Sequence, residues 1–396
     1  LFWSLPAAAI ESTDVLPEGI NSLSLKWGYI QGLNQLYDGS GSLHYLGDVN
    51  SVEFDVATLV NINPQVQNLV NILNQFGHFQ IGSNVHLGQL SVDAEPEINY
   101  FAPVFLRGVT PAWTVGVALP IVNYKNRFGI RHEGSNIELL KEELGGISPE
   151  LDQAFADLDV SMRQEFAAQL AEKGYAPLSS RDETFIGDFT LLSVWVFDKN
   201  PDNATALRTF LTLPTGPEDD PHDLADLERF HQTSIENKLI HQMTLNHRVF
   251  AVGALGMIYV LPDEVERRVP IDNYDRLPGA DRVARVRREV GSSYSAAIGG
   301  GLHFTDYLTG SAGYEYGRKQ LDRYYGDLPG DYTLLGEESN RESHTLKAGV
   351  DYSAVNRYFQ KKALFPWAIS YEVATTLAGR NTENQTRHEI WYKMFF

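Results

Sequence analysis

The sequence holds raw material for acid–base and metal chemistry, with 11 His and 51 Asp+Glu, but it has no Cys. Thiol catalysis, a disulfide framework and Cys-ligated zinc are therefore excluded. The remaining side chains do not stand at catalytic spacings. There is no G-x-S-x-G, no H-E-x-x-H and no P-loop. His132-Glu133 runs on into Gly134-Ser135-Asn136, without the second His of a zinc helix. Glu218-Asp219-Asp220-Pro221-His222-Asp223 carries enough carboxylates for Ca²⁺ but lacks the fixed spacing of a calcium loop. A solvated acidic loop is the favoured reading. No catalytic residue, metal site or cofactor is nominated, and the chain is expected not to be an enzyme.

A second set of charged residues is more informative, because most of them alternate with apolar positions. Lys26, Glu97, Asp188, Arg208, Glu236, Lys238 and Glu315 belong to it, as do Lys319, Lys347, Asp351, Glu372, Arg387 and Glu389. Alternation at this period is the signature of strands with one apolar and one polar face. Leu23, Leu25, Trp27 and Tyr29 share a face. So do Ile98, Tyr100, Ala102, Val104 and Leu106, and then Trp113, Val115, Val117, Leu119 and Ile121. Phe185, Phe189, Leu191, Trp195 and Phe197 make a fourth row, and Leu207, Thr209, Leu211 and Leu213 a fifth. Further strands are expected near 234–245, 248–261, 292–304, 308–321, 343–356, 367–379 and 386–396. Both faces of 248–261 are apolar, so its orientation stays open.

About twelve strands of membrane-crossing length result. Their connections alternate. Short ones fall near 107–111, 199–203, 246–247, 305–307 and 357–365. Long ones fall near 34–96, 127–183, 214–232, 262–291, 322–342 and 380–385. This asymmetry predicts an all-β fold: a transmembrane antiparallel up-and-down β-barrel, with its long loops extracellular. The charged set then lines the lumen, where unpaired charge is costly and mutual pairing is expected. Arg208 is expected to meet a carboxylate among Asp188, Glu236 and Glu315. Trp27, Trp113, Trp195 and Trp367 are expected to face lipid or its interface.

Composition agrees with this placement. The formal net charge is -19, which opposes nucleic-acid binding. No apolar run reaches the 18 residues of a membrane-spanning helix, which leaves a barrel untouched. Residues 1–20 precede the barrel at 21–396. Leu1-Phe2-Trp3-Ser4-Leu5-Pro6-Ala7-Ala8-Ala9 reads either as the remnant of a secretory signal or as a short plug. Helices are expected in the long loops, one around Val66–Leu73 and one from Pro149 to Lys173, closed by Gly174. The second is a candidate gate. Outer-membrane lipid and a small-molecule solute are the expected partners. Arg267, Arg268, Arg276, Arg282, Arg285, Arg287 and Arg288 crowd one long loop. They would suit lipopolysaccharide phosphates, or the loop's own acids Glu264, Glu266, Asp272, Asp275 and Asp281.

The last strand ends on Phe396 with Ile390, Tyr392 and Met394 at alternate positions. It resembles the signal by which bacterial outer-membrane barrels engage their assembly machinery. Leu16-Pro17-Glu18-Gly19, Val115 to Pro120, Ile186 to Leu191 and Leu211 to Gly216 stand in an order of their own. That order is similar to outer-membrane proteins linked to the meta-pathway of phenol degradation, themselves distantly like fatty-acid transporters. The resemblance implies an integral outer-membrane channel for small, hydrophobic or aromatic molecules. A hatch as large as the transporters' is not expected from residues 1–20, of which Leu1-Phe2-Trp3 could enter the barrel as a short plug. The alternative is a non-conducting barrel that displays its loops as a surface binding or structural protein.

Overall fold

The computed structural model describes residues 11–45, 52–53, 89–133, 167–226, 231–275 and 277–396, with a few isolated positions between them. The strands close into one antiparallel barrel of twelve. They are β1 (Asn21–Gln31), β2 (Gln89–Thr110) and β3 (Trp113–Ala118 continued by Ile121–Glu133). Then come β4 (Arg181–Ile186 continued by Phe189–Lys199), β5 (Asn203–Leu213), β6 (Ser234–Thr244) and β7 (Val249–Val260). β8 (Ser293–Thr305), β9 (Leu308–Lys319), β10 (Arg341–Ser353), β11 (Trp367–Arg380) and β12 (Thr386–Phe395) complete it. Each strand pairs with its sequence neighbours, and β1 closes the cylinder by pairing with both β2 and β12. No sheet edge is left open, so every strand's backbone is satisfied where lipid offers no hydrogen bonds.

Inside and outside follow from side-chain parity. Leu191, Trp195, Leu239, Leu255, Ile298, Leu346 and Ile390 are all exposed on the outer wall. Trp27, Trp113 and Trp195 lie there too, each at least 40% exposed. Trp367 shares the outward parity of Ile369, opposite to buried Ala368. The ambiguous strand β7 resolves by size. Phe250, Val252 and Ala254 are buried inward, while Leu255, Met257 and Tyr259 are exposed.

Two expected faces are wrong. On β2, Phe105 is exposed whereas Ala102 and Val104 are buried, so the row Ile98–Leu106 faces inward. Glu97 and Asn99 therefore point outward, with Glu97 opposite Lys125. On β4 the pairing with β3 slips by one residue between Thr190 and Ile186, at Gly187–Asp188. The bulge flips the alternation. Ile186 is exposed, and Phe185 joins the inner face with Val122.

The short connections are side-chain-capped turns. Asn200 Oδ1 accepts from the backbone N–H groups of Asp202 and Asn203. Asn246 Oδ1 does the same for Arg248 and Val249. The last short-side connection holds a helix, Val355–Phe359, that no periodicity announces. The long loops carry two small sheets. One joins Asp263–Arg268, Val283–Glu289 and Arg323–Tyr325 over a core of Val265, Val269, Val286 and Tyr324. The other joins Gln35–Tyr37, Leu43–Tyr45 and Thr382–Glu383. Val66–Leu73 and most of 149–166 lie outside the described residues. Residues 167–172 are helical and end at Gly174, whose φ of 73° is the left-handed stop expected there.

Candidate functional site

A cavity of about 860 Å³ lies inside the barrel. Its wall is two-sided. On β2 to β5 it is largely apolar, with Ala102, Val104, Leu106, Leu192, Val194 and Phe210 facing in. On β9 to β12 and β1 it is charged, and the charges form two networks.

The first is centred on Glu389 of β12, which is almost fully buried. Its carboxylate takes Lys26 Nζ at 2.8 Å and Arg387 Nε at 3.2 Å. Arg387 also reaches Glu372 at 3.7 Å. The Tyr100 hydroxyl donates to Glu389 from β2, across the intervening strand. That reach depends on Gly28, which is in register with both Tyr100 and Glu389. A Cβ at Gly28 would stand 2.1 Å from the Tyr100 ring. Trp391 lies beside the network with Lys26 Nζ 4.4 Å from its ring centroid. The geometry is that of a cation held by both a carboxylate and a π face.

The second network joins strands β5, β6, β9 and β10 through the segment preceding β1. Residues 20 to 11 pass from the short-turn rim into the lumen. Gly19 and Ile20 are tied to Gly108 by backbone hydrogen bonds of 2.9 Å. Leu16 is buried against Val355, Ala368 and Phe395, and its N–H donates to Thr114 Oγ1 at 2.7 Å. Glu11 ends the described stretch between Arg208 Nη2 at 2.6 Å and Lys238 Nζ at 2.8 Å. Lys238 continues to Glu315 at 3.5 Å, and Glu315 to Lys347 at 3.1 Å. Gly256 leaves room for the Lys238 stem, since a Cβ there would lie 3.0 Å from Lys238 Cε. Burial pushes the Glu11 carboxyl upward, but the cations Arg208 and Lys238 outweigh it and hold the group at about 2.

Ten of the residues nominated from sequence border this cavity: Lys26, Arg208, Glu236, Lys238, Glu315, Lys319, Lys347, Glu372, Arg387 and Glu389. Three do not. Glu97 is on the outer face, as described. Asp188 sits at the β4 bulge and accepts from the N–H groups of Thr215 and Gly216 at 3.0 and 2.9 Å, pinning the end of β5. Asp351 has inward parity and is buried near the short-turn end of β10, but does not border the cavity. Arg208 was expected to pair with Asp188, Glu236 or Glu315. Among the described residues it forms no such pair, because Glu11 takes its place. Glu11, Asp14, Tyr100 and Trp391 were missed by sequence reasoning as site residues. Glu11 and Asp14, the two acids among the mostly apolar residues 1–17, were the available signal for the first pair.

The loop arginines are engaged within the cap. Arg268 is buried and donates to the carbonyls of Lys173, Gly174, Pro221 and Pro278 at 2.7–2.8 Å. Its Cζ lies 3.6 Å from the Tyr175 ring centroid. Arg267 pairs with Asp219, Arg288 with Asp263, Arg285 with Glu264 and Arg287 with Glu289. Arg282 donates to the carbonyls of Val269 and Pro329. Arg276 lies outside the described residues. In the acidic segment, Asp219 is held by Arg267 and Asp223 by Arg181. No cluster of three metal-ligating side chains occurs among the described residues.

A closed twelve-stranded antiparallel barrel with a lipid-suited exterior and a polar interior is the fold of an outer-membrane β-barrel. The protein resembles an outer membrane channel from Pseudomonas putida F1 in this respect. The two superpose at a TM-score of 0.54 with 10% identity, over 98% of this chain and 99% of that one. The toluene transporter TodX of Pseudomonas putida (TM-score 0.38, 11% identity, 96% and 91% coverage) is more remote. So is the toluene transporter TbuX of Ralstonia pickettii (0.37, 10%, 96% and 90%). No family model matches the sequence, and no curated protein does.

Proposed function

We propose that the protein is an outer-membrane channel passing small molecules between the long-loop and short-turn ends of its lumen. The cavity carries this reading. A barrel that served only to display loops needs no internal space of about 860 Å³, and none with an apolar wall facing a charged one. Such a passage wets readily along β9 to β12 while giving the body of an apolar or aromatic solute a surface along β2 to β5. The resemblance to phenol-pathway outer-membrane proteins points to the same solute class. The loop helix ending at Gly174 is tied to the cap through Arg268 and Lys173, and we assign it a gating role.

Planar-bilayer recording of the folded full-length chain tests the reading. Steps of constant size, raised by deletion of residues 148–174 without loss of heat-resistant gel mobility, are expected. A silent bilayer with both folded proteins would leave the display scaffold as the function.

A further inference from the structure

We propose that Arg208 and Lys238 form a binding site for the carboxylate of a small apolar monocarboxylate, and that Glu11 occupies this site until such a solute displaces it. The proposal rests on the reading of the lumen as a passage and names the solute that passage selects.

The geometry around Glu11 is that of a bound carboxylate. Each oxygen meets one cation, Oε2 on Arg208 Nη2 and Oε1 on Lys238 Nζ. The arginine is only half used. Its Nε is buried without a hydrogen-bond partner among the described residues. A guanidinium edge presents Nε and Nη2 together and matches both oxygens of a carboxylate. Glu11 engages one of the two, so an anion free of the chain can make a contact that the tethered one does not.

The surroundings fit an apolar body on that carboxylate. Val194 is the direct neighbour of Arg208 on β4, and Phe210 packs its ring 4.9 Å from the guanidinium carbon. Both face the cavity. The charge balance has the required sign. Nine Lys and Arg against six Asp and Glu border the cavity, in a chain whose net charge is -19. Two of those six acids, Glu11 and Asp14, belong to the entering segment. Withdrawing it makes the path more attractive to anions.

The tether explains why the site is not permanently open. Glu11 is linked through the four residues Ser12 to Val15 to Leu16, which the rim holds in place, so its effective concentration at Arg208 is on the order of millimolar. A solute must exceed that advantage. It can do so by filling the Arg208 fork and by burying an aromatic face against Val194 and Phe210.

The test uses the full-length protein folded in detergent, with benzoate as probe and benzyl alcohol as its uncharged counterpart, by titration calorimetry in low-chloride buffer. Glu11→Gln should bind benzoate at least tenfold more tightly than the unaltered protein, and benzyl alcohol no better. Adding Arg208→Met to Glu11→Gln should abolish benzoate binding. If that double variant fails to show heat-resistant gel mobility, Glu11→Gln with Lys238→Met replaces it, with the same loss expected. Glu11→Gln protein that binds no benzoate, binds it no better than the unaltered protein, or binds benzyl alcohol equally overturns the proposal. Persistence of benzoate binding in the Arg208 or Lys238 variant also overturns it. Binding at equilibrium requires no flux. Benzoate binding with a silent bilayer would keep this site and remove the channel, and conductance without benzoate binding would do the reverse.

Discussion

Gly28 is where one added methyl group has a calculable effect on the barrel. Its ideal Cβ would lie 2.1 Å from Tyr100 Cζ and 2.3 Å from Cε1, and 2.5 Å from the hydroxyl. A tyrosine ring cannot deform, so Gly28→Ala must swing it aside and break its hydrogen bond to Glu389. A hydrogen bond to a charged group contributes about 1.5–3 kcal/mol, and overpacking costs about 1–3 kcal/mol. Glu389 keeps Lys26 and Arg387, so the lower part of that range applies. Gly28→Ala should therefore destabilise by about 2.5–4 kcal/mol. With Tyr100→Ala already present, the obstacle is gone. The same methyl should then be neutral or stabilising by up to about 1 kcal/mol, because glycine weakens a strand interior. Urea titrations of the vesicle-inserted barrel, followed by tryptophan fluorescence, measure both steps. Equal costs in the two backgrounds, within about 0.5 kcal/mol, would refute the crossing of Tyr100 over Gly28.

Arg268→Ala strands four carbonyls of the loop cap and should hasten proteolysis of the segments around 174, 221 and 278, with the barrel core still resistant; equal cleavage rates would remove Arg268 as the organiser of the cap. Glu11 is depressed to about 2 from an ordinary 4.5, so its anchoring is complete above pH 4.5 and is lost as pH falls through about 2. A spin label at Val15→Cys should accordingly keep its restricted motion from pH 8 to pH 5 and gain mobility only below about pH 3; release near neutrality would contradict the double-cation clamp. Brominated lipid should quench single-Trp variants retaining Trp113 or Trp195 strongly and one retaining Trp391 weakly, since the first two are outward and the last faces the lumen; the opposite ranking would reverse the barrel register.

The barrel was legible because most of its strands separate two environments of unlike polarity. On β6 the outward Leu239 and inward Lys238 could hardly be exchanged. Where the contrast vanished, parity became unreadable. The lumen beside β2 is apolar, so Tyr100, Ala102 and Val104 resemble a lipid-facing row, and Glu97 was placed inside by elimination. Volume held the better signal. The small Ala102 and Val104 suit the crowded interior, and Phe101 and Phe105 the roomy exterior. On β4 a single extra residue at Gly187–Asp188 reverses everything on one side of it, and alternation counted across a bulge assigns Phe185 to the wrong face.

The interior charges were legible as a set and illegible as partners, for a physical reason. Strand period fixes which face a residue occupies, but an ion pair depends on height and on azimuth around the barrel. Lys347 and Glu315 sit on adjacent strands, where register supplies both coordinates. Arg208 and Glu11 are separated by about half of the chain, and no periodicity ties an irregular leader to a position halfway up β5. Desolvation nevertheless required that such a partner exist, because a mostly buried guanidinium beside Lys238 cannot remain without a counter-charge. The deficit on the wall was present in the sequence. Arg208 and Lys238 stand together on β5 and β6 in direct register, while Glu236 approaches Lys238 only to 3.9 Å. Glu315 reaches Lys238 at 3.5 Å as well, but among the described residues neither acid pairs with Arg208, and the place between the two cations is taken by Glu11.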